Sequence, residues 1–384
     1  MALAAAGGSA SYDQNQNTTH LDLSDALASV LNADCALLGR IPMRGMATNV
    51  DHYWVEDALN SNTVTANEGA EISAAETTLT IVSNSYIDEG ALLMDEAIGK
   101  TEVMQVVTVT SATEIVVVRA VGDSAPAAET HAAGAVFRII GQPKQENDEQ
   151  VLNTVTSRSR KSNICQIFKK EVNISGTQQA INKVGVPNEY QYQLGLRTLE
   201  LRRDLGNVAY LSVKISAGGS GGSDSVYRSM DGLRNTTRAG GNTDATSTAF
   251  TEGMVNALYR LIWNDGGEAD TAAGSATQIT KFAELHKDKI RLSPSDRARG
   301  TFVTKFLTDI GVELDLLVDR WILKGDLFIG DMKRVSLMPL QGRAWHAEPL
   351  AKVGDGLKGM IIGEYTIEQR NAGECFALAS ALTE

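Results

Sequence analysis

The sequence predicts an α+β fold in which a small β-barrel or sandwich is inserted into the chain. Three observations support this: a run of short β-branched segments within residues 77–141, a long amphipathic segment over residues 188–214, and a C-terminal third that mixes helical and strand patterns. Strands, one long helix and then mixed elements are typical of an α+β chain. At 384 residues the chain is too long for one ordinary core, so we expect two or three packed units.

Composition places the chain among folded proteins, with 43% apolar and 21% charged residues. The formal net charge of −12 argues against a protein whose whole surface binds nucleic acid. Three widely separated cysteines, Cys35, Cys165 and Cys375, suit free thiols in a reducing cytoplasm. The first 20 residues lack a signal-peptide pattern, and no apolar run approaches the about 20 residues of a membrane span. We therefore expect cytoplasmic synthesis and no membrane partner.

The first 76 residues precede the β-rich region. Residues 1–39 begin with small and polar residues, and the apolar spacing from Leu21 to Leu38 predicts at best a short helix. Residues 40–76 mix strand and loop signals around Trp54. The β-rich region follows, with turn residues between the segments TTLTIV, ALLMD, EVMQVVTVT, TEIVVVRAV and AVFRIIG. Short strands at this close spacing predict a small barrel or sandwich over residues 77–141.

The long helix is predicted from its leucine pattern. Pro187 suits its entry, where the missing N–H costs nothing. A helix of about 25 residues would be about 37 Å long. One face of it carries the apolar side chains of Leu194, Leu201, Leu205 and Val208, and Leu196 and Leu199 widen this stripe. The glycine-rich segment at 218–222 then predicts a hinge or an exposed loop.

The C-terminal third alternates between the two element types. TEGMVNALYRLIWNDGG predicts a helix with Thr251 or Thr248 near its N-cap, and FAELHKDKIRL predicts a shorter one. Strands are predicted for TFVTKFL, LFIGD, KRVSLMPL, MIIGEYTIEQ and CFALAS.

Charge is distributed unevenly along the chain. Residues 51–150 hold 17 Asp and Glu against 4 Lys and Arg, whereas residues 151–215 hold 4 against 10. One interpretation is a set of solvated faces. The other is that the acidic region faces outward while a basic group faces nucleic acid or the acidic surface of a neighbouring copy. The candidate inner-face or inter-subunit residues of this basic group are Arg158, Arg160, Lys161, Lys169 and Lys170.

Motifs that would carry catalysis fail on their context. IGKTEV at 98–103 contains Gly-Lys-Thr, but Met94 stands where a phosphate-binding loop requires glycine. GGSGG at 218–222 matches a nucleophile elbow around Ser220, although a helix precedes it where a strand is required. His346 and Glu348 form a possible acid–base pair, for which a surface ion pair is the simpler explanation.

Metal and cofactor sites are not predicted either. The histidines, His20, His52, His131, His286 and His346, never occur at ligand spacing. The carboxylate pairs at 88–89 and 95–96 are expected in solvated turns and lack the spacing of a calcium loop. We therefore predict no enzyme activity, no metal and no cofactor.

The order of the segments resembles the Hong Kong 97-type (HK-97-like) fold of tailed-phage major capsid proteins, and individual stretches resemble the SU10-like major head proteins. Those stretches are HYWVEDAL with EGAE at 52–71, NICQIFKKEVNISGTQQAINKVG at 163–185, LELRRDLGNVAYL at 199–211, RSMDGLRNTT at 228–237, FLTDIGVELDLLVDRWI at 306–322 and VGDGLKGMIIGEYTIEQRNAGECFALASAL at 353–382. Each stretch is short, so the specificity lies in the ordered set.

The resemblance implies a role for each region. Residues 1–39 would be an N-terminal arm, 40–76 and 142–180 an extended loop, and 77–141 the inserted β module. Residues 181–239 would form the spine helix and peripheral domain. Residues 240–384 would form the axial domain with return strands to the peripheral domain. The inserted module departs from the minimal fold.

The function implied is that of a major capsid protein that assembles into hexamers and pentamers around the double-stranded DNA of a tailed bacteriophage, in an icosahedral or prolate head. Its implied partners are copies of itself, a portal, scaffolding or decoration proteins, and weakly bound DNA. Two alternatives stay open: a tail or adhesin component whose β module binds a sugar or host surface, and a hydrolase using Ser220 or His346 with Glu348.

Overall fold

The computed structural model describes residues 34–83, 86–122, 126–146, 156, 158–181, 186–216, 227–244, 250–285, 304–352 and 354–383. These residues belong to two compact units. The first unit takes its residues from 1–54 and 161–384, and the second unit is residues 55–160.

The described residues form six α-helices. They are α1 (Ala36–Arg40), α2 (Gly176–Ala180), α3 (Glu189–Leu211), α4 (Leu233–Gly240), α5 (Glu252–Asn264) and α6 (Ala276–Leu285). The strands up to residue 175 are β1 (Asp51–Glu56), β2 (Thr63–Thr65), β3 (Thr78–Thr80), β4 (Leu92–Asp95), β5 (Val103–Ser111), β6 (Glu114–Val118), β7 (Val136–Gly141), β8 (Ser159–Ile164) and β9 (Gln166–Ser175). The later strands are β10 (Thr243–Asp244), β11 (Thr271–Gly274), β12 (Lys305–Leu307), β13 (Glu313–Val318), β14 (Leu327–Gly330), β15 (Val335–Pro339), β16 (His346–Pro349), β17 (Gly356–Gln369) and β18 (Phe376–Ala379).

Helix α3 is the longest helix of the described chain and confirms the predicted long helix. Its 23 residues span about 34 Å, and the side chain of Asn188 caps it by accepting a hydrogen bond from the Gln191 N–H. Leu201 and Leu205 are buried, and Leu194 and Val208 pack against the same core. The predicted apolar face is therefore the face that docks.

The sheet beneath α3 is built on β17, the longest strand of the described chain. Its residues 356–365 pair antiparallel with β9, while β15 and β16 pair with its other edge. Along β9, buried side chains at Phe168, Val172 and Ile174 alternate with exposed ones, as expected for a strand with one covered face. The covered face supports α3.

A second sheet of the first unit has the strand order β10-β18-β14-β11-β13-β12. Helices α5 and α6 contribute Val255, Tyr259 and Phe282 to its core. The Thr251 hydroxyl accepts a hydrogen bond from the Met254 N–H and caps α5, so of the two predicted candidates, Thr251 and Thr248, Thr251 is the cap. Helix α6 begins at Ala276, before the predicted segment FAELHKDKIRL, whose residues from 286 onward lie outside the described part.

The second unit is a closed six-stranded antiparallel barrel with the strand order β2-β7-β4-β5-β6-β3. Two backbone hydrogen bonds join β2 to β3 and close the sheet: Asn67 N–H to Thr80 O at 2.8 Å, and Val82 N–H to Thr65 O at 2.9 Å. Inward side chains such as Leu93, Met104 and Phe137 fill the interior. The five predicted β-branched segments contain β3 to β7, and the unrecognised strand β2 completes the ring.

The sequence analysis did not predict six strands of the described chain, which are β2, β8, β9, β10, β11 and β13. Strand β11 is the four-residue segment TAAG, which lacks β-branched residues apart from Thr271. The predicted helix within 21–38 and the glycine-rich loop at 218–222 fall mostly or wholly on residues outside the described part.

Candidate assembly surfaces

The first described residues of the chain are held on the first unit by polar contacts. The Asp319 carboxylate accepts a hydrogen bond from the Leu37 N–H at 2.8 Å, and the Trp321 indole N–H donates to the Asp34 carbonyl at 2.8 Å. Arg40 pairs with Asp315 at 2.5 Å. Residues 34–40 are therefore anchored on the subunit, at the point where residues 1–33 join it.

A glycine in α3 makes room for this anchored segment. Cys35 is buried, and a Cβ added at Gly206 would stand 2.5 Å from its Sγ atom. Burial, followed by the nearby Asp319 charge, raises the pKa of the Cys35 thiol. The thiol therefore serves as an apolar packing group rather than as a nucleophile.

The C-terminal end of α3 is fixed by a buried polar cluster. The Tyr210 hydroxyl donates to Asp326 at 3.0 Å, and the Arg234 guanidinium donates to the same carboxylate at 2.6 Å. Burial and the Asp326 charge raise the pKa of Tyr210 well above its usual value. This cluster ties α3, α4 and the start of β14 together.

The five predicted basic residues do not lie in one environment. Arg158, Arg160, Lys161 and Lys169 are exposed on or next to β8 and on β9, and Arg158 lies 3.5 Å from Asp57. Lys170 points to the other side of β9, where its ammonium lies 3.1 Å from Glu200 and 3.0 Å from Asp204 of α3.

The contacts of Lys170 with α3 shift the pKa values of Lys170 and of Glu200. Burial opposes the charged forms, but the hydrogen bonds between Lys170 and its two partners outweigh it. The pKa of Lys170 is raised and that of Glu200 is lowered. Lys170 thus joins α3 to β9 within the chain, whereas the side chains of the other four basic residues are exposed.

The barrel contains a buried ionic cluster that the sequence analysis did not find. Glu102 accepts two hydrogen bonds from Arg119 at 2.7 Å each, and His131 lies between Glu102 at 3.1 Å and Asp95 at 2.7 Å. The expectation that Asp95 lies in a solvated turn is wrong, because its side chain is buried against His131.

Hydrogen bonds hold the pKa of the buried Glu102 carboxyl below its ordinary value. Burial alone would raise its pKa, but hydrogen bonds from Arg119, the Glu129 N–H and His131 lower it to about 2. The residues that form this cluster are separated by 7 to 17 positions along the chain. No local motif could have revealed it.

The sequence motifs considered for catalysis or phosphate binding make only local polar contacts where the structure describes them. His346 contacts Glu348 at 3.1 Å on the exposed strand β16. Lys100 of the IGKTEV segment donates to the Thr130 carbonyl and lies 3.7 Å from Glu129. Ser220, His20 and His286 lie outside the described residues.

Two other kinds of site are absent from the described residues. Across the described ranges, no group of three or more His, Cys, Asp or Glu side chains is arranged to hold a metal ion. No helix in the described part of the chain is long and apolar enough to cross a membrane.

Comparisons with known proteins give a consistent assignment. A family model described as the SU10 major capsid protein matches residues 9–383. A search of curated proteins finds no match.

Solved structures show the shared fold. The chain is similar to a protein of Microbacterium phage Oxtober96, with 12% identity, a TM-score of 0.54, and 97% of this chain and 99% of that one covered. The Cyanophage A-1(L) capsid asymmetric unit matches with 8% identity and a TM-score of 0.54, over 98% of this chain and 100% of that one. The capsid of a native GTA particle matches with 8% identity and a TM-score of 0.50, over the same shares. These matches confirm the Hong Kong 97-type fold.

Proposed function

The chain belongs to the SU10 major capsid protein family and is a capsid-forming protein, and from this premise we propose that its copies form the hexamers and pentamers of a tailed-bacteriophage head around double-stranded DNA. The observation that carries the proposal is the family match over residues 9–383. The docked spine helix α3 supports it, since a rod of about 34 Å fixed along its length keeps distant edges of one subunit in register.

The regions of the chain take the corresponding roles in this proposal. Residues 1–39 are the arm, 40–76 and 142–180 the extended loop, and 77–141 the inserted module. Residues 181–239 hold the spine helix and peripheral domain, and 240–384 the axial domain. The anchoring of residues 34–40 by Asp319 and Trp321 supports the arm assignment, because it fixes the point from which an arm would extend.

Polar and charged surfaces are assigned to partners in the same way. We assign Arg158, Arg160, Lys161 and Lys169 to contacts with neighbouring copies or with packaged DNA, supported by their exposure. The net charge of −12 fits weak contact with DNA, because strong phosphate binding requires an excess of Lys and Arg. A portal protein and scaffolding or decoration proteins complete the proposed set of partners.

The proposed location is the shell of the virion, after synthesis in the cytoplasm of a bacterial host. No catalytic role is proposed.

Identical subunits that meet through heterologous contacts close into rings, and many modest contacts of this kind add up in a shell.

The test is electron microscopy with light scattering on the purified chain, expressed alone and together with the genes that neighbour its own. Closed shells, tubes or six-fold rings are the expected result. A monomer or trimer that never assembles at any salt or protein concentration would contradict the proposal. That outcome would favour a tail or adhesin component, and the barrel would then be screened for sugar binding.

A further inference from the structure

The barrel of the second unit carries an apolar face on its outside. Its interior is already filled, yet Val107, Val118 and Ile140 point outward and are 46%, 49% and 53% exposed. The outer apolar face is formed by these three residues together with the half-buried Leu92, Met94 and Val103.

Strand register makes this face continuous. Met94 stands opposite Val103, while Leu92 and Val118 both stand opposite Gln105 from the two sides of β5. Ile140 lies at the irregularity where β7 pairs with Leu92. Side chains directly opposite on one face are within contact distance, so four adjacent strands present one largely apolar surface that contains Gln105 and is bordered by Arg138, which stands opposite Met94. A continuous apolar surface of this kind marks an interaction site.

The charges around the face define what can cover it. Residues 55–160 hold 16 Asp and Glu but only 6 Lys and Arg. Five of these six cations already contact a carboxylate of the same unit, in the pairs Lys100–Glu129, Arg119–Glu102, Arg138–Glu96, Lys144–Asp88 and Arg158–Asp57. A cleft beside the face is lined by Asp88, Glu89, Gln105 and Val107. The surplus charge of the unit is therefore acidic.

Charge complementarity disfavours the barrel of a second copy as the partner and favours a basic surface. Two barrels meeting face to face would bring like charges together, which is unfavourable. The same chain offers exposed basic side chains on β8 and β9, where Glu171 is the one exposed acid on the face of Ile167 and Lys169. Ile167 is 45% exposed and shares its face of β9 with the exposed Lys169, and Lys161 is exposed on β8.

We propose that the outer apolar face of the barrel of one copy docks on the β8–β9 surface of a neighbouring copy, around Ile167, Lys161 and Lys169. This inference rests on the proposed function, and it assigns the inserted module to contacts within the shell rather than to a host surface. The contact is heterologous, joining two different surfaces, and such contacts close rings when they repeat by rotation.

The direct test is cross-linking of shells assembled from an equal mixture of unlabelled and ¹⁵N-labelled chains. A carbodiimide joins a lysine amine to a carboxylate in contact with it, and mass spectrometry reads the isotope of each peptide. We expect mixed-isotope links from Lys161 or Lys169 to carboxylates of residues 55–160, Glu89 in particular. Links between peptides of one isotope only, links to carboxylates outside the barrel, or no links from these lysines would overturn the inference while leaving the shell in place.

A pair of variants provides the second test. Val107→Glu with Val118→Glu adds charge to the outer face without touching the barrel interior, and we expect mixed-isotope links and shell yield to fall about tenfold or more. Thr110→Glu, exposed on the same strand β5 but outside the face, is the control and should assemble normally. Circular dichroism confirms that both variants fold. Normal assembly of the double variant would overturn the inference, whereas a wild-type chain that forms no shell or ring would overturn the proposed function itself.

Discussion

Gly206 of α3 faces Cys35 of the anchored N-terminal segment so closely that a methyl group at position 206 would stand 2.5 Å from the cysteine sulfur. Glycine inside a helix costs about 1 kcal/mol relative to alanine. Here that cost is offset by the close approach of the segment that begins at Asp34. The relationship links a single residue of α3 to the attachment of the segment that contains Cys35.

Replacing Gly206 with alanine should detach the N-terminal segment. We expect Gly206→Ala to keep the helical circular dichroism but to expose Cys35, so that a maleimide labels this thiol at least about tenfold faster. Labelling is located by mass spectrometry, since Cys165 and Cys375 are also buried.

Gly195 is the matched control on the same helix, because nothing lies within 4 Å of a Cβ at that position. Gly195→Ala should leave Cys35 protected and raise the free energy of unfolding by up to about 1 kcal/mol. Equal labelling of Cys35 in both variants would contradict the proposed close packing.

Lys170 should contribute to stability although its neighbour Lys169 should not. Lys170→Ala leaves Glu200 and Asp204 one helical turn apart without their shared cation. We expect a loss of about 1 kcal/mol in the free energy of unfolding, measured by urea denaturation of the unassembled subunit, and a smaller loss at high salt. Lys169→Ala, on the exposed face of β9, should change this free energy by less than about 0.5 kcal/mol. Similar losses in the two variants would show that the helix contacts of Lys170 are not stabilising.

Local patterns predicted much of this fold. The leucines of α3, the Thr251 cap of α5 and the β-branched runs of the barrel each act within a few residues, so their sequence signals are complete. Strand β11 could not be predicted in this way, because its Ala and Gly residues become strand only through pairing with β13 and β14 on both sides.

The contacts between side chains were much harder to predict from the sequence than the helices and strands. Lys169 and Lys170 are indistinguishable by type, and only the pleat of β9 sends one to solvent and the other to Glu200. The residues next to Asp95 in the sequence are typical of a turn. In the closed barrel, however, the Asp95 side chain contacts His131, which lies 36 residues later in the chain. Contacts of this kind depend on strand order and closure, which no short segment encodes.

Tyr210 should anchor the C-terminal end of α3 through its hydroxyl. Tyr210→Phe removes the hydrogen bond to Asp326 and leaves that buried carboxylate to Arg234 alone. We expect a loss of about 1.5–3 kcal/mol in the free energy of unfolding, the usual range for a hydrogen bond to a charged group. Tyr227→Phe is the control, because Tyr227 is almost fully exposed. A loss no larger than that of the control would rule out a stabilising role for the hydroxyl.

Acid should weaken the barrel through Glu102. The pKa of this carboxyl is about 2 in the folded chain against an ordinary value of 4.5, so its ionised form is bound more tightly in the folded state. A lowered pKa contributes stability that is fully present above about pH 4.5 and is lost as the pH falls towards 2. The contribution is on the order of 3 kcal/mol. Glu102→Gln removes this titration, so the difference in unfolding free energy between wild type and variant should shrink as the pH falls from 5 to 2. The exposed Glu71 gives the control, since Glu71→Gln should follow the wild-type pH profile. A wild-type-to-Glu102→Gln difference that stays constant over this pH range would show that Glu102 has no lowered pKa.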